Sequence, residues 1–438
     1  MNEYLYKIAH SINSLLNQEV RSAVDFLKYM EKPGKDDFLV LQNQMITEQV
    51  QYAYENVPYY NKLFNENSIS PSTIRTVGDL KLIPILTKDI VRSNKDKLIS
   101  KQIHHFRTIK RRSGGTTGEP IEVLVDKRCQ ALETYSFLRG LEWMGYSPNL
   151  KMIVLWGGSL GLKVDKSIKS SLRNFALNSL FIPAFDINSG TAIEYLSLIK
   201  KQGASCIRGY ASAIYNLALY KLDLGFELNN VKLIITTSEQ LEDEWRTTIR
   251  KAFECDVKSY YGCSEIESLG YQVFENGGYV IPNEINIIEQ ADDDTSLIVT
   301  SLHNKSQPLI RYCNGDCGIV KESSIFDSRR PEILQLTGRS DDWLIGQDGE
   351  RISGRLGAKL ISVANIHVKK YQLIQFQRNQ VEFRYDNFGN EMVEDEKFRL
   401  KTAIRNVLGS KVEITIIQST DFILTRNNKF RITLCLCD

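Results

Sequence analysis

The sequence predicts an α/β protein in two parts: a large N-terminal domain with mixed and parallel sheet plus an antiparallel β subdomain, then a small C-terminal α+β domain. Three observations predict it. From about residue 120 to 261, short β-branched or apolar runs alternate with amphipathic stretches, the signature of parallel strands joined by helices. Between about 279 and 336, further apolar runs follow one another with no convincing helix between them, as antiparallel strands do. The polar segment Thr337-Gly338-Arg339-Ser340-Asp341-Asp342 then sets off a remainder of mixed pattern about the size of a small domain.

In chain order, the first eighty or so residues carry helical spacing, with Leu5, Ile8, Ile12, Leu15 and Leu16 three or four apart. Turn signals at Pro33-Gly34 and Pro58 divide them. Strand candidates follow at Ile121–Val125, Met152–Trp156, Cys206–Ile207, Val231–Thr236 and Val257–Tyr261, with helix candidates over 127–144, 191–202, 210–224 and 241–253. The antiparallel runs are Tyr279–Ile281, Ile285–Ile288, Leu297–Thr300 and Gly318–Val320. No unit repeats at a fixed period, which argues against a solenoid. At 438 residues the chain is nearly three times the roughly 150 that one domain uses. The division is expected at the polar segment, giving a large domain over 1–339 and a small one over 340–438.

Composition narrows the function classes. Hydrophobic residues at 42% and charged residues at 25% allow a sizeable core and exclude disordered or low-complexity readings. Lys+Arg 55 against Asp+Glu 53 leaves a net charge of +2, so no nucleic-acid partner is expected. No run approaches a membrane span, and the N-terminal stretch lacks a compact apolar segment with a small-residue cleavage site, so the expected location is the cytoplasm. Eight scattered cysteines are too sparse for a secreted disulfide scaffold and are expected to be reduced.

The most informative stretch is Arg111-Arg112-Ser113-Gly114-Gly115-Thr116-Thr117-Gly118-Glu119-Pro120. Its glycines let backbone N–H groups approach a ligand, and its hydroxyls supply neutral donors, a combination that suits a polyphosphate. Gly-Lys-Ser/Thr is absent, so it is not a Walker loop. Alone, it also fits an ordinary hairpin loop.

Its companions make the difference. The stretch from Ser113 to Pro120 resembles the phosphate loop of the adenylate-forming enzymes, the superfamily of acyl-coenzyme A synthetases, peptide-synthetase adenylation domains and luciferases. Tyr261-Gly262-Cys263-Ser264-Glu265 resembles the superfamily's Tyr-Gly-x-Ser/Thr-Glu, and Gly338-Arg339-Ser340-Asp341-Asp342 its Gly-Arg-x-Asp-Asp. Thr237-Ser238-Glu239 and Pro308-Leu309-Ile310-Arg311-Tyr312-Cys313-Asn314-Gly315-Asp316 resemble the adenine turn and the ribose segment of the phenylacetate-coenzyme A ligase branch. Thr425-Arg426-Asn427-Asn428-Lys429 resembles the segment that carries the catalytic lysine. The runs at 56–64 and 82–89 resemble the N-terminal region of the same branch. Arg208-Gly209-Tyr210-Ala211-Ser212 and the short C-terminal domain resemble its capsular-polysaccharide biosynthesis members.

The resemblance implies ATP as substrate with magnesium, and roles residue by residue. Ser113, Gly114, Gly115, Thr116, Thr117 and Gly118 would hold the β- and γ-phosphates. Ser238, Glu239, Tyr261, Gly262 and Ser264 would form the nucleotide pocket, Asp316 would hold the ribose and Glu265 the metal. Lys429, Glu265 and Arg339 form the catalytic set, and Asp341 is the hinge. Two positions depart from the pattern. Ile121 stands where many members carry a lysine after the loop proline, which shifts phosphate neutralisation toward magnesium, Arg111, Arg112 or Lys429. Asn428 stands in a glycine position, and asparagine tolerates positive φ.

Other residues carry weaker signals. Cys255, Cys263, His303, Cys313 and Cys317 include soft ligand types, but the Cys-x3-Cys at 313–317 is looser than paired zinc spacing, so packed thiols are expected rather than zinc. His104-His105 receives no role, and Cys435 and Cys437 alternate with leucines as in a packed strand. Trp156, Tyr210 and Tyr215 follow strands or open helices, where α/β folds place ligand contacts. Core packing fits Trp156 and Tyr215 equally well, and Tyr210 is carried forward as substrate-binding.

The reading is a ligase whose partners are a small carboxylic acid and an acyl acceptor. The acid attacks the α-phosphorus of ATP to give an acyl-adenylate and pyrophosphate, and the acyl group then passes to an amine of a sugar or amino acid, or to coenzyme A. Three alternatives stay open: a phenylacetate-type acyl-coenzyme A ligase, a nucleotide-binding protein without turnover, and a nucleotide-sugar glycosyltransferase.

Overall fold

The computed structural model describes residues 17–113, 121–156, 178–184, 187, 189–292, 295–339, 343–349, 351–353, 360, 363–366, 368, 370–387, 389–423, 430 and 432–437. The chain divides into two compact units, Met1–Leu336 and Thr337–Asp438. Among the described residues, no helix is long and apolar enough to cross a membrane.

Helix α1 (Gln18–Met30) is capped by the Asn17 side chain, which accepts from the Glu19 and Val20 amides, and it buries Val20, Ala23, Leu27 and Met30 at helical spacing. Helices α2 (Lys35–Asn56) and α3 (Pro58–Glu66) follow, with Pro58 as the first residue of α3, where its missing N–H costs nothing. Two buried glutamines fasten α2 by their side-chain amides: Gln42 donates to the Asn283 carbonyl, and Gln49 to those of Ser301 and Asn304. The helical periodicity expected over Leu5 to Leu16 lies outside the described residues.

After the short α4 (Lys88–Ser93), β1 (Thr108–Arg112) and β2 (Glu122–Asp126) form the antiparallel hairpin that brackets the glycine-rich loop. Asp126 ends β2 and caps α5 (Lys127–Trp143), accepting from the Cys129 amide at 2.8 Å. Its other oxygen accepts from the Lys305 amide at 2.8 Å, while Asn304 donates to the Leu124 carbonyl. These buried bonds dock the hairpin on the main sheet.

That sheet has eleven strands. Its first half comprises β3 (Met152–Leu155), β4 (Ser179–Ile182), β5 (Cys206–Tyr210), β6 (Leu233–Thr237) and β7 (Asp256–Tyr261), all parallel, with α6 (Ser189–Lys201), α7 (Ala211–Asp223) and α8 (Asp243–Phe253) in the crossovers. The second half comprises β8 (Gly270–Gln272), β9 (Tyr279–Val280), β10 (Asn286–Gln290), β11 (Ser296–Ser301), β12 (Tyr312–Lys321) and β13 (Glu332–Arg339). The strand order is β10-β11-β12-β13-β9-β8-β7-β6-β5-β3-β4. The antiparallel strands expected as a separate subdomain therefore continue the parallel sheet edge to edge. β7 is the switch, parallel to β6 and antiparallel to β8, because the short 262–269 connection can only return the chain antiparallel.

One buried charge cluster clamps the antiparallel half. Glu284 is fully buried and accepts from Arg139 of α5 and from Arg330, itself fully buried. Arg139 also reaches Glu31 at 2.8 Å, and Arg330 reaches Glu31 at 3.3 Å and Asp327 at 3.2 Å. The two guanidinium groups hold the Glu284 carboxyl down at about 2 against the pull of burial.

The second unit carries a hairpin, β14 (Trp343–Ile345) with β15 (Arg351–Ser353), and a four-stranded sheet. That sheet contains β16 (Lys370–Gln377), β17 (Gln380–Asp386), β18 (Glu413–Gln418) and β19 (Thr433–Cys435) in the order β18-β17-β16-β19. Helix α9 (Glu394–Leu408) buries Leu400, Ala403, Ile404 and Leu408 in its core. Gln375 is buried and pairs with both backbone groups of Ile345, joining hairpin to sheet.

The Glu284 cluster gives the first prediction. Arg330→Met should cost about 3–5 kcal/mol in urea unfolding, because it leaves a buried carboxylate short of a partner. Since the folded pKa of Glu284 lies below its ordinary value of 4.5, its contribution is present above pH 4.5 and is lost as pH falls toward 2. Wild-type stability should decline over that window, and Glu284→Gln should flatten the decline.

Candidate active site

The C-terminal ends of β3, β5, β6 and β7 carry Trp156, Tyr210, Thr237-Ser238-Glu239 and Tyr261-Gly262, the edge where open α/β sheets hold ligands. Ser238 sits at φ +67, a backbone conformation that costs a non-glycine residue about 1 kcal/mol or more and that clusters at functional turns. Glu239 accepts from the Ser212 amide at 2.8 Å, so the turn after β6 is tied to the start of α7. Tyr210 caps that helix with its backbone and stacks its ring on Trp156, centroids 4.7 Å apart at 18°. Tyr215 stacks on Trp245 at 5.1 Å, a packing contact within the helical layer.

The start of β12, with Asn314 and Asp316, meets this edge from the other half of the sheet. Tyr261 Oη donates to Asp316 Oδ2 at 2.9 Å and accepts from Asn314 Nδ2 at 2.8 Å. Asn314 also donates to Asp316 at 3.0 Å, and the Asp316 amide donates back to Asn314 Oδ1 at 3.0 Å. Burial, then the Asp316 charge, pushes the Tyr261 hydroxyl far above its ordinary range, so it stays a donor. Three strands separate β7 from β12 in the sheet order, and at about 4.8 Å per strand a flat sheet could not bring these side chains together. The sheet therefore curls, and the Tyr261–Asn314–Asp316 group closes the curl.

Glu265 is buried just past Tyr261-Gly262, with Oε1 accepting from Tyr312 Oη at 3.0 Å. Its other oxygen meets no hydrogen-bond donor among the described residues. A fixed carboxylate with one oxygen in hand fits magnesium, which takes one or two protein carboxylates and draws its remaining ligands from phosphate and water. Ser264 is exposed beside it, and Gly262 is tight, since a Cβ there would lie 2.7 Å from the Tyr260 hydroxyl. Among the described residues, no group of three or more His, Cys, Asp or Glu could hold a metal by itself. Cys263 donates to the Ile266 carbonyl, and half-buried His303 contacts the Glu284 carbonyl, with desolvation of its ring pushing its pKa down to about 4. The rings of His104 and His105 lie against each other at 4.0 Å.

At the glycine-rich loop, Ser113 and Ile121 clasp the neck. The Ser113 amide donates to the Ile121 carbonyl at 2.9 Å, and the Ile121 amide donates to Ser113 Oγ at 2.9 Å. Gly114, Gly115, Thr116, Thr117 and Gly118 lie outside the described residues, as do Asp341 and Lys429; Arg339 ends β13 and its side chain is likewise not described. One expectation is corrected: Arg111 is committed elsewhere. Arg111 is buried against Glu133 at 2.7 Å and near Glu267 at 3.6 Å, because a buried guanidinium needs a counter-charge. Arg112 pairs with Glu122 at 2.9 Å. Ile121 points into the core, which accounts for an apolar residue there.

Sequence reasoning missed Asn314 and Tyr312. Both fall on the face of β12 that carries Asp316, and the period-2 spacing 312, 314, 316 was the available signal.

No family model matches the chain. It is 28% identical to protein CapK of Staphylococcus aureus over 321 residues, covering 70% of this chain and 69% of that protein. It is 23% identical to phenylacetate-coenzyme A ligase of Thermus thermophilus over 364 residues, 79% of this chain and 80% of the ligase. Among solved structures, 2-hydroxyisobutyryl-coenzyme A ligase bound to its acyl-adenylate superposes with a TM-score of 0.69 at 16% identity, covering 91% of this chain and 89% of that one. The fold is thus that of the adenylate-forming ligases. By sequence the chain is phenylacetate-coenzyme A ligase-like and CapK-like.

The polar closure yields a second prediction. Tyr261→Phe removes one donor from Asp316 and one acceptor from Asn314, and should cost about 1–3 kcal/mol. The urea midpoint should fall with the slope unchanged, and adenosine-nucleotide binding, followed by calorimetry, should weaken in parallel.

Proposed function

We propose that this chain activates a carboxylic acid with ATP and passes the acyl group to an acceptor, in surface polysaccharide biosynthesis. The observation that carries this reading is the Tyr261–Asn314–Asp316 group beside a buried Glu265 at the strand ends. A hydroxyl, an amide and a carboxylate converge there, which is what a ribose and a metal-bound triphosphate require.

In the first step a carboxylate oxygen bonds to the α-phosphorus and the bond to pyrophosphate breaks, leaving an acyl-adenylate. The nucleophile is already anionic, so no base is needed and the barrier is dominated by charge repulsion. Magnesium on Glu265 would neutralise phosphate charge. Asp316 would hold the ribose hydroxyls, the turn at Ser238 and Glu239 the adenine edge, and residues 113–118 the outer phosphates. With Arg111 buried against Glu133, Lys429 would supply the cation for the α-phosphate. At about 4 Å and an effective dielectric near 20, that contact is worth roughly 4 kcal/mol. Asp341 would be the pivot on which the segment carrying it turns.

In the second step the acceptor's nucleophile bonds to the acyl carbon and AMP leaves. The resemblance of the Arg208–Ser212 motif to capsular-polysaccharide biosynthesis members supports an amine acceptor; likeness to phenylacetate-coenzyme A ligases supports a thiol. Ile121 in place of a loop lysine favours a second reading, a nucleotide-binding protein without turnover.

Pyrophosphate release across aryl, hydroxy and amino acids, with and without coenzyme A, separates these readings. Acid-dependent release establishes the ligase, and ATP binding with no release for any acid establishes the second. For the ligase, Lys429→Ala should lower acid-dependent release about 100-fold or more while ATP still binds. Release at the wild-type rate would remove Lys429 from the catalytic set.

A further inference from the structure

Arg208 lies at the centre of β5, and strand alternation puts it on the same face as Cys206 and Tyr210. Its guanidinium carbon is 5.1 Å from the centre of the Phe137 ring of α5 and 6.0 Å from that of Trp156. Its Nε is sealed from solvent and has no acceptor. Among the described residues no carboxylate pairs with it.

The other buried or half-buried arginines are treated differently. Arg111 faces Glu133, Arg139 and Arg330 share Glu284, Arg311 faces Glu289, and Arg329 faces Asp327. Arg246, which likewise has no close carboxylate, donates to the Val257 carbonyl and to Gln272. Among the described residues Arg208 has only the two ring faces, and such contacts offset about 0.5–2 kcal/mol of the cost of desolvating it. Burial accordingly pushes its pKa below the ordinary value.

A cation kept in this state is matched when an anion arrives. Its place fits a ligand: it stands two residues before Tyr210, whose ring stacks on Trp156 at the strand ends where the acid is expected. A planar guanidinium flanked by rings presents its fork edge-on, the geometry that takes a carboxylate by two parallel hydrogen bonds.

We propose that Arg208 recognises a second anionic group on the acid substrate, so that the acid this chain activates is a dianion, one carboxylate reacting and the other acidic group held between Phe137 and Trp156. This rests on the ligase reading and names its substrate class. A distal carboxylate and a distal phosphate share the required charge, and the fork geometry favours the carboxylate.

The test uses dicarboxylates of graded length, each beside its own monoamide, and a phosphate ester of a hydroxy acid of matching length. The readouts are pyrophosphate release with ATP and calorimetric binding without it. In the wild type, kcat/KM for the best diacid should exceed that for its monoamide about 10-fold or more, and a phosphate ester that outperforms every diacid would reassign the distal group to phosphate. In Arg208→Met that ratio should collapse toward one, with Arg208→Lys in between, since a point charge replaces the fork. Thermal midpoints for both variants exclude unfolding as the cause. Equal losses on diacid and monoamide, or a wild type that prefers the monoamide, overturn the proposal and leave the ligase reading standing. Arg208-dependent binding of the diacid with no pyrophosphate release from any acid does the reverse. Neither binding nor release for any acid removes both.

Discussion

The Glu284 carboxylate is the constraint on which the first unit depends. A fully buried anion is tolerated only where its partners are fixed, and here they come from distant stretches of sequence: Arg139 on α5 and Arg330 just before β13. Glu31 at the end of α1 binds both arginines from outside, and Asp327 steadies Arg330. The indole of Trp143 lies under both guanidinium groups, at 4.5 and 4.8 Å. Helix ends and strand starts are thus pinned to one point. β10 begins two residues after Glu284 and β13 two residues after Arg330, so the cluster sets the frame between which β11 and β12 run.

The site inherits its geometry from that frame. β12 presents Tyr312, Asn314 and Asp316 on one face, and the curl of the sheet brings that face over the end of β7. Each contact is modest alone, at about 1 kcal/mol net for a neutral hydrogen bond and roughly 1.5–3 for one to a carboxylate. Their effect is positional. Tyr261 Oη and Asn314 orient the Asp316 carboxylate, and Tyr312 orients Glu265, so the two acidic groups proposed to meet the nucleotide are held before it binds. The cost of ordering them falls on folding, and binding is spared it.

Legibility in the sequence followed the range of the interaction. Alternating runs and amphipathic spacing located β2, β3, β5, β6, β7 and the four helices among them to within a few residues, because periodicity is local. That the antiparallel strands extend the same sheet was not legible, because nothing local tells β7 which strand it pairs with on its second edge. Motif positions such as Tyr261, Glu265 and Asp316 were readable by resemblance, whereas Asn314 fell on a variable motif position and only strand alternation could have found it. Arg111 and Arg112 looked free to meet phosphate because their counter-charges, Glu133 on α5 and Glu122 across the hairpin, are set by tertiary placement.

The same limit explains why Arg208 was read only as part of the Arg208–Ser212 motif and given no role of its own. A cation in a strand reads as an edge residue or as half of a salt bridge, and only the coordinates show that the half is missing. Its placement also separates two tasks. On the proposed reading the nucleotide groups gather on the turn after β6 and on β7 and β12, while Arg208, Trp156 and Phe137 lie toward β5, β3 and α5. Chemistry that all such ligases share can then stay fixed at one end of the strand edge. Residues at the other end are free to define which acid enters, because replacing a side chain on β5 leaves the hydrogen bonds that hold Asp316 and Glu265 untouched.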